Sequence, residues 1–338
     1  MIVFTDWEGP WVLTDFAYEC AAAFLNNPSF FERLSQYDDY LAFVKRKEDY
    51  CVGDSLKLLA PFLVATDVTS KDLYMLSEKV VQFIPDCKYV SKSFTSKYRV
   101  VVVSSAYHVF LNVSTSLIEF NAEIWATKFV PEFYKINDKD KSEIIKAIDI
   151  IANLPKIEIK NGEIQDDRSK KSIRWLDNFF WNYLVNSSAG NILKEVKAIG
   201  GKRKKEIIRK YVEENNVQDP IFIGDSISDS EALKWVKEIG FAISFNGNKF
   251  AVKNSNIAVI SDSAYAHIIL IDTIARFGFK GVKMLSQGDY GFLNDKLRDI
   301  AKKILIEVYL TDEIDINMLI SKSEKIRRKL RGIAGSLT

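Results

Sequence analysis

Short apolar runs recur along the chain, and most of them end in, or are directly followed by, a polar or acidic residue. The first is Met1–Thr5, and the Gly9-Pro10 pair separates it from the next segment. Four more are Val100–Val103, Pro220–Ile223, Phe241–Ser244 and Ile257–Ile260. Runs of this length that are rich in β-branched residues and bounded by turn signals are typical of buried strands in a parallel sheet. We therefore expect a central sheet built from these segments.

Helical periodicity fills the intervals between the expected strands. Apolar residues recur at helical spacing from Phe16 to about Pro85, which predicts an all-helical insertion. Shorter helices are expected at Tyr107–Glu119, Glu206–Glu214 and Glu231–Glu238. Strands that alternate with helices in this way predict an α/β fold in which helices cover a parallel sheet.

The segment from Val130 to Gly190 gives mixed signals. It contains an amphipathic helix near Ser142–Ala152 and an aromatic helix around Trp175–Tyr183. Between them, Ile157–Ile164 is a possible hairpin, because its Asn-Gly pair favours a tight two-residue turn. We expect a second insertion here, with both helices and strands.

The C-terminal region from Asp295 onwards is expected to form helices, the last of them basic. The cationic residues of that helix are Lys322, Lys325, Arg327, Arg328, Lys329 and Arg331. Such a charge run is typical of a solvated helix face. The alternative is a contact surface for an acidic protein partner or for a second copy of the chain.

Composition narrows the function classes. The chain has 338 residues, 47% apolar and 27% charged, which allows about two domains with sizeable cores. Its net charge of +2 creates no overall field that would recruit nucleic acid. Three dispersed cysteines and two histidines leave little material for a zinc site or a His-based mechanism. No apolar run approaches the roughly 18–20 residues of a membrane span and no signal peptide is evident, so we expect a cytoplasmic protein.

Four acidic residues follow two of the expected strands. Asp6 and Glu8 come after the first strand, and Asp225 and Asp229 lie just beyond Pro220–Ile223. Ligands of open α/β sheets bind at the carboxyl ends of the strands, so we expect these groups to converge. Carboxylates held together repel one another unless a cation lies among them. Oxygen donors without His or Cys favour magnesium as that cation.

A phosphate group could be held beside the expected cation. Ser104 follows the Val100–Val103 strand and offers a hydroxyl group. It is preferred to Ser105 because the residue directly after a strand points back over the sheet edge. A lysine from the Lys202-Arg203-Lys204-Lys205 cluster offers a positive charge.

The order of these residues resembles the haloacid dehalogenase (HAD) superfamily of phosphohydrolases. Its first motif, a strand followed by D-x-D-G-T, is similar to Val3–Pro10 here. Its second, an apolar strand that ends in Ser or Thr, is similar to Val100–Ser104, and its fourth, G-D-x-x-x-D, to Gly224–Asp229. The third is a lysine that opens a helix, for which we prefer Lys204, with Lys202 as the alternative. The chain is most similar to archaeal phosphatase-like members that begin D-W-E-G-P, some of which are described as accessory to an energy-converting hydrogenase.

The resemblance implies a Rossmann-like three-layer HAD core with a helical cap and a second inserted subdomain. The core would comprise residues 1–17, 88–129 and 190–294. Residues 18–87 would form the helical cap insertion and residues 130–189 the second, α+β insertion. Residues 295–338 would add C-terminal helices.

The resemblance also implies a role for each matched residue. Asp6 would attack phosphorus and form an aspartyl-phosphate. The ligands of Mg²⁺ would be Asp6, the backbone carbonyl of Glu8, Asp225 and Asp229. Ser104 and Lys204 would bind the phosphoryl oxygens, and no organic cofactor is implied. Glu8 would replace the second aspartate of the family as general acid and base.

Two positions of the first motif depart from the family pattern. Glu8 keeps a carboxyl group but is longer than aspartate by one methylene, and Pro10 replaces the usual threonine. We expect a magnesium-dependent phosphatase that acts on a small phosphorylated metabolite. The alternative is a HAD-fold accessory or binding subunit with little or no turnover, for which Glu8 is the main evidence. Phosphoryl transfer to an acceptor other than water is a third hypothesis.

Overall fold

The computed structural model describes residues 1–160 and 162–336, which are organised around a seven-stranded sheet. The strands are β1 (Ile2–Thr5), β2 (Arg99–Tyr107), β3 (Glu123–Thr127), β4 (Ile221–Gly224), β5 (Phe241–Phe245), β6 (Ile257–Ser261) and β7 (Ile306–Leu310). Their order across the sheet is β3-β2-β1-β4-β5-β6-β7. Neighbouring strands are parallel except for β6 and β7. The first six strands thus have the 3-2-1-4-5-6 order of doubly wound Rossmann sheets.

Helices connect the strands and fill the insertions. They are α1 (Phe16–Phe24), α2 (Pro28–Asp39), α3 (Ser55–Ala65), α4 (Ser70–Val80), α5 (Cys87–Lys97), α6 (His108–Leu117), α7 (Asp138–Asn153), α8 (Asp167–Asp177), α9 (Gly190–Glu195), α10 (Gly201–Glu214), α11 (Ser230–Ile239), α12 (Lys249–Asn254), α13 (Tyr265–Ser286), α14 (Asp295–Ala301) and α15 (Ile316–Arg331). Within the described ranges, none of them combines the length and apolar character needed to cross a bilayer. The predicted fold class is confirmed as a Rossmann-like α/β fold, in which helices cover a central seven-stranded sheet. The division into a helical cap and a second inserted subdomain stays a prediction.

Alternate residues of each strand enter different layers of the molecule. In β2, Val100 and Val102 join the large core that includes α13 and the inserted helices. Val101 and Val103 join a second core, formed with α10 and α11 on the opposite face. Because both faces of the central strands are covered, these strands are apolar throughout, as parallel sheets require.

The two insertions pack against each other. Phe62 of α3 lies against Phe179 and Phe180, with ring centroids 5.8 and 6.1 Å away. Arg33 of α2 donates its Nε–H to the carbonyl of Leu154 at 2.7 Å. The inserted helices therefore form one layer over the same face of the sheet.

The segment 130–189 is more helical than its sequence predicts. Among its described residues, strand-like pairing is limited to an isolated bridge between Lys160 and Glu163, while α7 and α8 are regular helices that each bury one face. Asn161 of the expected turn lies outside the described residues. The arms of this hairpin are short and no third strand extends them, so they gain too little from pairing to form regular strands.

The region 295–338 is not wholly helical, which corrects the expectation for this segment. Ile306–Leu310 forms β7, antiparallel to β6 at the edge of the sheet. Ile306 and Val308 are buried while Glu307 between them is partly exposed. This period of two suits a half-buried edge strand.

Candidate active site

The ends of β1 and β4 lie side by side at the centre of the sheet. The strand order reverses between these two strands, and ligands of open α/β sheets bind at such a switch point. Asp6 directly follows β1, and its N–H donates to the carbonyl of Ile223 in β4 at 2.8 Å. Asp225 directly follows β4. Strand pairing therefore makes these two acids neighbours.

Three carboxylates meet at this point. Asp6, Asp225 and Asp229 each offer an oxygen within 4.8 Å of the others, and all three are buried. Asp229 turns back onto its own loop, where its Oδ2 accepts the N–H groups of Asp225 and Ser226, each at 2.9 Å. A Cβ at Gly224 would lie only 2.6 Å from that of Asp229, so this close turn requires glycine. The structure thus brings together three of the four predicted acids.

Lys204 lies between two of the carboxylates. Its fully buried Nζ donates to Asp6 Oδ2 at 2.7 Å and to Asp229 Oδ1 at 2.5 Å. Burial alone would lower the pKa of Lys204, but the two carboxylates outweigh that effect and raise the pKa, so the side chain is cationic. Lys202 is exposed, and Lys205 pairs with the neighbouring glutamate. Of the three candidate lysines, Lys204 is the one that reaches the cluster.

Burial and charged neighbours change how the cluster ionises. Burial, with help from Asp229 and Asp225, raises the pKa of Asp6 to about 7 against the opposing charge of Lys204. Burial would also raise the pKa of Asp229, but Lys204 and the backbone N–H donors outweigh it and lower that pKa. Asp6 therefore ionises near neutral pH, while Asp229 stays ionised more readily than an ordinary aspartate.

Glu8 lies at the edge of the same cavity but outside the three-carboxylate group. Its Oε1 accepts the N–H of Phe16 at the start of α1, at 2.8 Å. Burial, followed by the charge of Asp15, raises the pKa of Glu8 well above its ordinary value. A carboxyl group whose pKa is raised holds its proton to higher pH than an ordinary glutamate, which suits a proton donor beside Asp6.

The strand β2 continues past the point at which the sequence predicts its end. It extends to Tyr107, so Ser104 and Ser105 are strand residues rather than loop residues. Ser104 is fully buried, and its Oγ accepts the N–H of Ala106 at 3.4 Å. Ser105, in contrast, lines the cavity beside Asp6. The preference for Ser104 depends on a strand that stops at Val103, and the longer strand places its neighbour at the cavity instead.

Two arginines from the end of α15 also reach the cluster. Arg327 and Arg331 each donate through Nη1 to Asp225 Oδ2, the Arg331 contact at 3.0 Å. Arg327 also donates to the carbonyl of Asp225 at 3.2 Å. The two side chains are only 4% and 6% exposed. The expectation of a solvated basic face is therefore wrong for these two residues.

The positions of these arginines could have been predicted from a four-residue spacing in the sequence of α15. Leu319, Ser323, Arg327 and Arg331 form one stripe along α15. Leu319 packs beneath β6, and the Oγ of Ser323 donates to the carbonyl of Gly247 at 2.7 Å. Because Leu319 and Ser323 face the interior, Arg327 and Arg331 on the same stripe must face it too. The number of charged residues on the helix does not show which face is buried.

These groups line a cavity of about 70 Å³. Its polar walls include Asp6, Glu8, Asp15, Ser105, Ser226, Ser228, Arg327 and Arg331. Pockets for small-molecule ligands usually measure about 300–1,000 Å³, so a metabolite does not fit in this arrangement. A larger cavity, of about 900 Å³, lies at the β3 edge among Trp125, Phe129 and Phe133, and none of the predicted site residues lines it.

The carboxylate cluster offers the donors of a hard divalent cation. Three buried oxygen ligands, without a thiol or imidazole among them, fit Mg²⁺. Asp6, Asp225 and Asp229 are the residues that would hold it. Three cationic side chains already pair with these carboxylates, however, and two of them, Arg327 and Arg331, form ion pairs with Asp225. A cation therefore fits the donor set only if the guanidinium groups leave that residue.

Gene product AF1437 from Archaeoglobus fulgidus, a solved structure, matches nearly the whole chain. The two are 31% identical, the match covers 99% of this chain and 98% of that one, and the TM-score is 0.85. The chain belongs to the family of AF1437. No protein-family model matches it, and no curated protein matches it either. The name AF1437 states no activity, so the activity must be argued from the site.

Solved hydrolase structures match more weakly. A HAD family hydrolase from Salmonella enterica serovar Typhi is 11% identical over 75% of this chain and 64% of that chain, with a TM-score of 0.45. A substrate-bound phosphoserine phosphatase is 12% identical over 76% of this chain and 91% of that chain, also with a TM-score of 0.45. At TM-scores below 0.5, neither likeness carries an argument about activity.

Proposed function

We propose that the chain is a magnesium-dependent phosphohydrolase of the HAD superfamily, which cleaves a small phosphorylated metabolite through an aspartyl-phosphate on Asp6. The observation that carries this proposal is the setting of Asp6. It is a buried carboxylate at the end of β1, bonded to Lys204 and within 4.8 Å of Asp225 and Asp229. A carboxylate held in place at a switch point, with a counter-charge already beside it, is arranged to act as a nucleophile.

The reaction divides into two displacements at phosphorus. In the first, an Asp6 carboxylate oxygen forms a bond to phosphorus while the bond to the substrate's ester oxygen breaks, and Glu8 gives its proton to the departing alkoxide. In the second, water attacks phosphorus as Glu8 takes its proton, and inorganic phosphate leaves Asp6 as a free carboxylate. The raised pKa of Glu8 supports its role as the acid of the first step.

The cation would be held by Asp6, Asp225 and Asp229, with the Glu8 backbone carbonyl as a further ligand. When bound, Mg²⁺ supplies positive charge that offsets the charge developing on the transferring phosphoryl group. Lys204 holds Asp6 in position through the hydrogen bond that its Nζ donates to Asp6 Oδ2. Ser105, which lines the cavity, is better placed than Ser104 to donate to a phosphoryl oxygen.

A phosphatase screen of the purified protein tests the proposal. Phosphate release from a panel of phosphate monoesters with Mg²⁺ is compared between the native protein, Asp6→Asn and Asp167→Asn. Asp167 is a matched control because its side chain is 95% exposed on α8. We expect Asp6→Asn to abolish release while the control keeps it. Equal release from Asp6→Asn, or a beryllofluoride adduct on a residue other than Asp6, would contradict the proposed mechanism.

The accessory or binding subunit is the second candidate, and a specific observation favours it. Arg327 and Arg331 both donate to the Asp225 carboxylate, and the cavity beside it, of about 70 Å³, is smaller than the usual pocket for a small molecule. A chain that kept this arrangement permanently would bind no substrate. If the native protein and an Arg327→Gln/Arg331→Gln variant are both inert across the panel, the accessory function becomes the better proposal.

A further inference from the structure

We propose that Arg327 and Arg331 compete with a divalent cation for Asp225, so that the end of α15 closes the site until metal displaces it. The end of the helix and the residues after it, 327–336, are the closing segment. This proposal concerns the regulation of the site described above and rests on its proposed metal dependence.

Both guanidinium groups converge on one carboxylate oxygen. Asp225 Oδ2 accepts from Nη1 of Arg327 and from Nη1 of Arg331. The other two members of the cluster, Asp6 and Asp229, are paired with Lys204 instead. The closing segment therefore neutralises the one carboxylate of the cluster that Lys204 does not reach.

Backbone carbonyls hold the same two side chains in place. Arg331 donates its Nε–H to Leu13 at 3.1 Å and its Nη2–H to Thr14 at 3.4 Å. Arg327 donates its Nε–H to Gly335 at 3.2 Å, within the closing segment. Every one of these contacts satisfies a donor that is shielded from water. The two arginines are therefore buried, hydrogen-bonded residues of the site. An exposed ion pair, in contrast, would contribute little to stability.

A cation and two guanidinium groups cannot share this carboxylate. Mg²⁺ binds oxygen ligands at about 2.0–2.1 Å in nearly octahedral geometry, so it has no room on Asp225 Oδ2 beside two N–H donors, and on Oδ1 it would lie within a few ångströms of both guanidinium groups. Like charges within a few ångströms repel strongly where water is excluded. Three cationic side chains already pair with the three carboxylates, so a divalent ion among them would add positive charge that no carboxylate of the cluster is free to balance. The two arrangements exclude each other.

The closing segment can leave without unfolding the rest of α15. Leu319 and Ser323 anchor the first half of the helix to the sheet side of the molecule. The helix ends at Arg331, and Gly332 comes next with a φ of 54°, which reverses the chain. Helix ends open locally at lower cost than helix middles. Retraction would also enlarge the cavity, because the closing segment forms one of its walls.

Metal affinity measures the competition directly. Mn²⁺ is titrated into the native protein and into Arg327→Gln/Arg331→Gln, and free Mn²⁺ is followed by electron paramagnetic resonance. If the closing segment covers Asp225 in about 99% of molecules, the double variant should bind Mn²⁺ roughly 100-fold more tightly than the native protein. Arg328→Gln is the matched control, since Arg328 lies in the same helical turn but is exposed and pairs with Glu324. Its affinity should equal that of the native protein.

Hydrogen exchange of the native protein gives a second measurement that needs no variant. Saturating Mg²⁺ should speed amide exchange in residues 327–336 and leave residues 316–323 unchanged. Equal Mn²⁺ affinity of native protein and double variant, or unchanged exchange at full Mg²⁺ occupancy, overturns the competition and leaves the phosphohydrolase proposal standing. Absence of Mn²⁺ binding in every protein overturns the competition together with the proposed metal dependence.

Discussion

Lys204→Met tests whether the acidic cluster depends on its internal cation. The substitution keeps most of the side-chain volume but removes the ammonium group that donates to Asp6 and Asp229. Breaking a buried ion pair from one side costs about 3–5 kcal/mol, because the remaining charge is buried without a partner. We expect the free energy of unfolding at pH 8 to fall by about 3–5 kcal/mol, a large share of the roughly 5–15 kcal/mol typical of a folded protein.

The loss should depend on pH, and its sign is set by the carboxyl groups. In the native protein, burial raises the pKa of Asp6 to about 7 against the opposing charge of Lys204, which also helps to lower the pKa of Asp229. Without Lys204 both pKa values rise, so the folded variant holds protons that the unfolded chain has released. Stability then falls as the pH rises through the folded pKa values. The penalty should therefore be larger at pH 8 than at pH 5.

Urea unfolding followed by tryptophan fluorescence measures both effects. Native protein, Lys204→Met and Lys205→Met are compared at pH 5 and pH 8. Lys205 is the control because it lies next in α10 and forms a partly exposed pair with Glu206. Its replacement should change the unfolding free energy by less than about 1 kcal/mol. A Lys204→Met protein as stable as the native one at pH 8, or one with equal losses at both pH values, refutes this account of Lys204.

Three further changes test other parts of the site. Glu8→Gln should lower turnover roughly 100- to 10,000-fold in steady-state assays and leave Mn²⁺ affinity unchanged, because Glu8 lies outside the three-carboxylate group; undiminished turnover would rule it out as acid and base. Gly9→Ala should lower the unfolding free energy by about 1–3 kcal/mol in urea, because Gly9 has a positive φ of 100° and a Cβ would lie 2.0 Å from Asp225 Oδ2; an unchanged midpoint would argue against this close approach. Burial lowers the pKa of His267 from 6.5 to about 4, so the unfolded chain binds a proton that the fold excludes. The contribution of His267 to native stability should therefore decline by about 3 kcal/mol as the pH falls from 6.5 to 4. A difference in unfolding free energy between native protein and His267→Gln that stays constant over this range would contradict this expectation.

The central strands are predictable because strands buried on both faces appear in the sequence as uninterrupted apolar runs. Val100–Val103 and Phe241–Ser244 both lie within observed strands. The acids that come after such runs are predictable as neighbours for a related reason, since parallel strands end at a common edge. The pairing of β1 with β4, which brings Asp6 to Asp225, has no local signal in either strand.

The ends of strands, and the pairing of strands that are far apart in the sequence, depend on residues elsewhere in the chain and are harder to predict. β2 continues through two serines because β3 pairs with it as far as Tyr107, with a change of register after Ser104. Ile306–Leu310 becomes a strand only because β6 offers it an edge. In each case residues with modest strand preference adopt an extended conformation because hydrogen bonds to a neighbouring strand stabilise it. The expected strand ends at Val103 and the observed one at Tyr107, and this difference places Ser105 instead of Ser104 at the cavity.

A cluster of carboxylates predicts positive charge nearby, but it does not identify the source. Oxygen donors at strand ends fit Mg²⁺, yet the same electrostatic demand is also met by Lys204 from α10 and by two arginines from α15. Arg327 is 102 residues from Asp225, and the packing of Leu319 beneath β6 decides where that helix face points. The acidic loop and the basic helix therefore constrain each other. Without the Asp225 side chain two buried guanidinium groups would lose the carboxylate to which both donate, and without the arginines that carboxylate would demand a cation from solution.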